Sequence, residues 1–332
     1  MQLDIVWLQF IAVTAVIVFA GIKITRYADF IAAHTKLGRL WVGVILLAIA
    51  TSLPELMNGI SASLQSLPDI AVGNIFGACL LNLLQIAIID FYYKPAPVLT
   101  SADKGHLLSS GFGIFFFFII GYSLFAESIG FSLSFLTIGL YTPLLFFIYF
   151  VAIRFIYVFQ KRKISEEIKE IAKPYKISLY HAYLRFAIYA LIIIFAGIFL
   201  PTIGARLATL TGWNQSFVGT LFLGLSTSLP ELVVSISAIR IGALDLALGN
   251  ILGSNLINLT IIGIDDLFFT SGSILLAASA INMLSVLAAV GMYSTVVISI
   301  IYESKVKKLR FTVTALTLLA IYVLNALFIF RA

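Results

Sequence analysis

Charge is scarce in this 332-residue sequence: 11% of the residues are Asp, Glu, Lys or Arg, whereas 61% are apolar. A soluble domain carries about 25% charged residues, and a solvated surface cannot be built from so few. The bilayer must be the main solvent, and with about 20 residues per span the length accommodates roughly ten spans and no sizeable extramembrane domain. Cysteine is almost absent. Cys79 alone excludes an intrachain disulfide and any cysteine-based metal site. The three histidines, His34, His106 and His181, fall in or beside loops and read as solvated, so none is placed as a midplane ligand or proton relay. The first apolar stretch, about residues 8–22, lacks a small-residue cleavage pattern and is expected to remain as a span.

Apolar runs read against breaker and charge clusters give ten spans: 3–24, 38–64, 70–91, 106–126, 131–157, 182–204, 214–240, 246–267, 272–301 and 310–330. Basic residues test that count. Alternate connections carry Lys23, Arg26, Lys36 and Arg39; Lys94 and Lys104; Arg154, Lys161, Arg162, Lys163, Lys169, Lys173, Lys176 and Arg185; Arg240; and Lys305, Lys307, Lys308 and Arg310. Only Arg206 and Arg331 border the opposite face. The positive-inside rule then sets the crowded face in the cytoplasm and both termini outside. The chain divides into a first five-helix unit, 1–158, a basic cytoplasmic linker, 159–181, and a second unit, 182–332. The same charge distribution accounts for the net charge of +6, leaving no need for a nucleic-acid partner.

A repeat at an offset of 176 ties the halves together. Thr51-Ser-Leu-Pro-Glu55-Leu56 recurs as Thr227-Ser-Leu-Pro-Glu231-Leu232, and Gly73-Asn-Ile-Phe-Gly77 as Gly249-Asn-Ile-Leu-Gly253. Positions 51–82 and 227–258 agree at 17 of 32 places without a gap. Five spans per half is an odd number, so the halves must be inverted relative to each other, the plan of secondary transporters with a midplane site. A duplicated packing hairpin is the competing reading.

Chemistry concentrates inside the repeat. Only Glu55 and Glu231 lie deep in apolar segments, with no Lys or Arg at similar depth. A carboxylate at a helix centre costs about 2.5–3.5 kcal/mol on the lenient insertion scale, which calls for protonation or a bound cation. Two of them at about 5 Å would repel by roughly 3 kcal/mol at an effective dielectric near 20. A divalent cation between them reverses that sign. Pro54 and Pro230 lack an N–H and crowd the carbonyls of Ala50 and Ser226, so spans two and seven are expected to kink or break at the midplane. Thr51, Ser52, Thr227 and Ser228 add hydroxyls, and Asn82 and Asn258 add amide oxygens from the next span. This is an all-oxygen inventory suited to a hard cation such as Ca2+. Gly73 and Gly77 are expected to let the third span press against the second.

At these motifs the sequence resembles the calcium/cation antiporter superfamily, which includes the sodium/calcium exchangers. The resemblance implies an all-α polytopic membrane protein of ten transmembrane helices in two inverted five-helix repeats, with motifs at 48–82 and 224–258. It also implies one Ca2+ position surrounded by Na+ positions, with the first and sixth spans as sliding gates. By motif, Glu55 and Glu231 would bind Ca2+, Thr51 and Thr227 would give backbone carbonyls, and Ser52 and Ser228 would give hydroxyls to Na+. Ala48 and Gly224 would supply carbonyls to outer Na+ positions, with Asn82, Asn258 and Ser254 completing the set. Ala78 stands where the family has the serine that Ser254 keeps, which puts one Na+ position in doubt. Both terminal polar positions are Asn, which disfavours the potassium-dependent pattern.

The expectation is a secondary antiporter of the cell membrane, not an enzyme, exchanging Na+ for Ca2+ by alternating access. It needs no cofactor and no protein partner; its ligands are the two ions and the bilayer. H+/Ca2+ antiport through the same glutamates is the nearest alternative. Potassium-dependent exchange, a passive cation channel and an intramembrane hydrolase are more distant ones.

Overall fold

A computed structural model describes residues 2–34, 48–93, 96–131, 134–135, 137–167, 178–240, 244–302 and 312–331. The described chain is almost entirely helical: α1 (Gln2–His34), α2 (Leu53–Leu64), α3 (Pro68–Tyr92), α4 (His106–Ser128), α5 (Tyr141–Glu167), α6 (Leu179–Thr211), α7 (Gly224–Arg240), α8 (Leu244–Phe268), α9 (Asn282–Tyr302) and α10 (Val313–Arg331). Among the described residues, nine helices are long and apolar enough to cross a membrane, all but α2, with α7 counted from the turn at Gln215. The expected second span reaches back to residue 38, but residues 35–47 lie outside the described set, as do residues 168–177 of the 159–181 linker.

Pairing between helices follows one rule. α3 and α8 pack on each other at the centre, where most of each is buried. α1 packs on α6, and α4 on α9. Every other main pairing has a counterpart five helices on: α3 with α7 and α8 with α2, α1 with α7 and α6 with α2, α3 with α10 and α8 with α5. Hydrogen bonds obey the same offset. Asp69 Oδ1 accepts from Ser279 N at 2.7 Å and Asn282 Nδ2 at 3.0 Å, while Asp245 Oδ1 accepts from Asp103 N at 2.8 Å and is 3.1 Å from His106 Nε2. Asp90 Oδ1 accepts from Val98 N at 3.0 Å and Asp266 Oδ1 from Ile274 N at 2.8 Å. These four carboxylates take backbone donors from the chain entering the fourth and ninth helices, donors that no helix satisfies there.

Three expectations need correction. The apolar run 272–301 is not one span, because Ile274–Ala277 forms a separate turn and α9 starts at Asn282. Hydropathy could not see that Asp266 and Asp69 capture the backbone of that stretch. The described residues of 131–140 likewise precede α5 rather than open it. There Ser134–Phe135 pairs antiparallel with Ile138–Gly139, and Gly139 N donates to Asp266 Oδ2 at 2.8 Å. His106 is not solvated; it is 3% exposed and bridged to Asp245.

The expected breaks in spans two and seven take different forms. Ser52 is a turn residue between helical residues 48–51 and α2, and Pro54 sits in the first turn of α2, where a missing N–H is tolerated. Pro230 stands inside an uninterrupted α7. The irregularity of the second half comes earlier, as a π-helical segment over Val218–Leu223. Such bulges widen the hydrogen-bond ladder by one residue and frequently accompany function.

Asp266 also accepts from Tyr141 Oη and Thr142 Oγ1, both at 2.6 Å, so four donors from two connections converge on one buried side chain. Asp266→Ala should leave them unmatched, at about 1–3 kcal/mol for each that water cannot reach. A fall of several degrees in the detergent melting temperature is expected; a shift under one degree would contradict this role.

Candidate functional site

The repeat motifs meet across the α2, α3, α7 and α8 core. Glu55 and Glu231 are each 0% exposed, and no Lys or Arg is buried among the described residues. The two carboxylates lie close enough to interact electrostatically. Glu55 Oε1 accepts from Ser228 Oγ at 3.2 Å, a contact from one half to the other. Glu55 Oε2, both oxygens of Glu231 and Ser52 Oγ are buried without a hydrogen-bond partner, and so is the whole Asn258 amide. Buried polar atoms are normally matched. A cluster of unmatched oxygens around two carboxylates is a donor set suited to a cation.

The remaining expected residues are distributed around that cluster. Thr51 Oγ1 is 3.3 Å from Ser254 Oγ and 3.3 Å from Ala48 O. Thr227 Oγ1 lies 3.1 Å from Leu223 O and 3.3 Å from Gly224 O, alternative acceptors for its one proton. Ala48 and Gly224 are buried, but their carbonyls are not free, since Ala48 O also accepts from Ser52 N at 3.0 Å. Asn82 is tied up as well: Nδ2 donates to Asn255 Oδ1 at 3.0 Å, and Oδ1 accepts from Gln85 Nε2 at 3.0 Å. Gln85 Nε2 reaches Ser228 O at 3.2 Å.

Ala78 has a visible consequence. In one half Thr51 meets the Ser254 hydroxyl; in the other, Thr227 has no hydroxyl at the matching place and donates to Asn74 Oδ1 at 3.2 Å instead. Asn74, Asn255, Gln85 and Cys79 are the polar contributors that motif reading missed. Asn255 Nδ2 donates to Cys79 O at 3.1 Å, and these two positions are themselves 176 apart, so equivalent residues of the halves touch. Applying the offset to every residue of the repeat, rather than to identical ones only, would have found that pair.

Glycine sets how close the helices come, though not where expected. A Cβ on Gly77 would collide with the Thr220 carbonyl, and one on Gly73 would lie 3.0 Å from Ser216 O. The third helix packs on α2 as expected, but at these two glycines it presses on the segment leading into α7. Gly224 meets Gly77 and Ala78 backbone from the other side.

Residues 5–152 and 181–331 match the family described as sodium/calcium exchanger protein. The chain belongs to that family. It is a family of membrane transporters of Na+ and Ca2+, not of enzymes. Among relatives, the chain is 26% identical over 237 residues to an uncharacterised membrane protein of Methanocaldococcus jannaschii, covering 69% of this chain and 70% of that one. It is 26% identical over 279 residues to the sodium/calcium exchanger MaX1 of Methanosarcina acetivorans, covering 74% and 77%. A solved structure of the sodium-calcium exchanger NCX_Mj superposes with a TM-score of 0.61 at 22% identity, over 97% of this chain and 98% of that one, which shows a shared fold.

Restoring the missing hydroxyl tests the asymmetry. Ala78→Ser should lower the Na+ concentration that half-saturates Na+-dependent Ca2+ movement by about two- to tenfold, the effect of one added contact of roughly 0.5–1.5 kcal/mol. An unchanged Na+ dependence in proteoliposomes would remove Ala78 from the account of ion selectivity.

Proposed function

We propose that the chain is a secondary antiporter of the cell membrane that exchanges Na+ for Ca2+ by alternating access, with Glu55 and Glu231 holding the transported cation between two inverted five-helix units. One observation carries the reading: two buried carboxylates from opposite halves, with unmatched oxygens on them and on their motif neighbours and, among the described residues, no buried Lys or Arg to neutralise them. The five-helix offset in packing and in carboxylate locks supports units 1–158 and 182–332 as inverted equivalents, and the basic residues crowded on alternate connections support a cytoplasmic linker with both termini outside. Ser52, Ser228, Thr51, Thr227, Ser254 and Asn258 complete the oxygen set. Ala48, Gly224 and Asn82 reach a cation only after giving up or sharing present hydrogen bonds.

Coupling follows from electrostatics. With the site empty, two charges face each other in a low-dielectric interior, and closing both sides over them is costly. Either Ca2+ or Na+ offsets that charge, so only a loaded site reorients, and the two ions compete for the same oxygens. α1 and α6 suit the gating role. They pack on each other and on α7 and α2, while about two-thirds or more of each apolar span faces outward. At the contact with α7, Gly21 lies against the Pro230 ring, and at the contact with α2, Gly197 lies against Met57.

The alternative with a specific observation behind it is H+/Ca2+ antiport. Thr227 hydrogen-bonds Asn74 rather than a serine hydroxyl, one fewer oxygen for Na+. Ca2+ flux in proteoliposomes under separately imposed Na+, K+ and pH gradients decides. An inward Na+ gradient should drive Ca2+ the other way. Flux driven only by pH would establish the alternative, and flux indifferent to every counter-ion would end the antiport reading. Glu55→Gln or Glu231→Gln should cut transport about a hundredfold, as expected from losing one charged ligand worth roughly 3 kcal/mol. Near-normal flux in either variant would refute the site assignment.

A further inference from the structure

One buried carboxylate in the core belongs to neither the central pair nor the four loop-holding locks. Asp265 is 1% exposed, and its Oδ1 has no hydrogen-bond partner. Asp266 beside it is fully engaged by four donors. The repeat offset separates their roles. Asp266 is matched by Asp90, which does the same structural work, whereas the position matching Asp265 is Ile89, a fully buried aliphatic residue. The fold therefore places no demand for a carboxylate at 265.

Its surroundings point toward the ion site. The Asp265 carboxylate lies directly against Gly59 of α2, where a Cβ would collide with both carboxylate oxygens. Gly59 is four residues beyond Glu55, one helical turn and about 6 Å along the same face. Asn58, on that turn, is 0% exposed and has both amide atoms unpartnered. On α8, Asp265 is seven residues beyond Asn258, again on the same face and about 10 Å further. Unmatched oxygens thus continue from Glu55, Glu231 and Asn258 toward the end of the bundle where α2 and α8 finish.

We propose that Asp265, with the Asn58 amide, forms a second cation position on the path between the central carboxylates and one membrane face. It rests on the antiporter reading for Na+ as a transported ion, and on the distribution of basic residues for naming that face as the outer one. A single carboxylate with an amide oxygen and water suits a monovalent cation, Na+, better than Ca2+, which takes six to eight oxygens and more anionic charge. Its place is a loading step for Na+ entering from outside. The inner half, with Ile89 at the matching position, has no such step, so the two faces should differ in Na+ affinity.

Binding can be tested without transport. In Glu55→Gln/Glu231→Gln protein, Na+ titrated against choline should still raise the detergent melting temperature, and adding Asp265→Asn should abolish that shift. No Na+-dependent shift in the double variant, or one that survives Asp265→Asn, overturns the site even if Na+/Ca2+ exchange is upheld. In otherwise wild-type proteoliposomes, Asp265→Asn should raise the external Na+ concentration for half-maximal exchange several-fold and leave the internal value unchanged. Equal changes on both faces, or none, would assign Asp265 to packing. Should Asp265→Asn fail to fold, Asn58→Ala gives the same one-sided readout, and a wild-type profile for it counts against the proposal.

Discussion

Two fully buried carboxylates from opposite halves, with no Lys or Arg buried among the described residues, are the constraint around which this molecule is arranged. Leaving them uncompensated is too costly for a stable membrane core. The protein does not remove the cost with a lysine or arginine, as a structural ion pair would. It surrounds the pair with hydroxyls and amides that are themselves incompletely bonded. On the proposed reading, such an arrangement favours a cation of the right charge, which is what a transporter needs from a site that must also let go.

The rest of the fold supplies the conditions for that balance. α3 and α8 form a rigid centre, and glycines bring the π-helical segment and α7 into backbone contact with α3. Four carboxylates outside the site, Asp69, Asp90, Asp245 and Asp266, each make two or more polar contacts and so fasten connections. The contrast is chemical. In the loops a carboxylate is saturated by backbone N–H groups, whereas at Glu231 both oxygens are left unmatched.

Much of this was legible in the sequence because membrane proteins put so little charge in the interior that each exception stands out. The doubled Thr-Ser-Leu-Pro-Glu segment pointed to two carboxylates that are both fully buried, and to a relation between the halves that the five-helix offset in packing matches. Hydropathy failed where an apolar run is not a span, at 131–140 and 272–281, because the deciding interaction is a distant carboxylate accepting a backbone donor. Proline at identical repeat positions gave different local geometry. Pro54 follows a turn at Ser52, and Pro230 sits within continuous helix while the π segment takes up the irregularity. Local sequence sets what a residue can do, and tertiary packing sets which of those options is used.

Departures from symmetry carry more information than the symmetry itself. A perfectly repeated chain would present the same chemistry to both faces and give no preferred side for loading. Here Thr51 meets the Ser254 hydroxyl, but Thr227, opposite Ala78, meets an amide. Asp245 holds a histidine where Asp69 holds an asparagine. Asp265 has an isoleucine as its counterpart. None of these differences alters the backbone plan, since each substitutes a side chain on a conserved pairing of helices. Each changes the charge, proton or oxygen available along one half only. On the proposed alternating-access reading, a duplicated scaffold thereby keeps one mechanism of reorientation while its two access routes are tuned separately, and the residues that break the 176-residue correspondence are where that tuning is written.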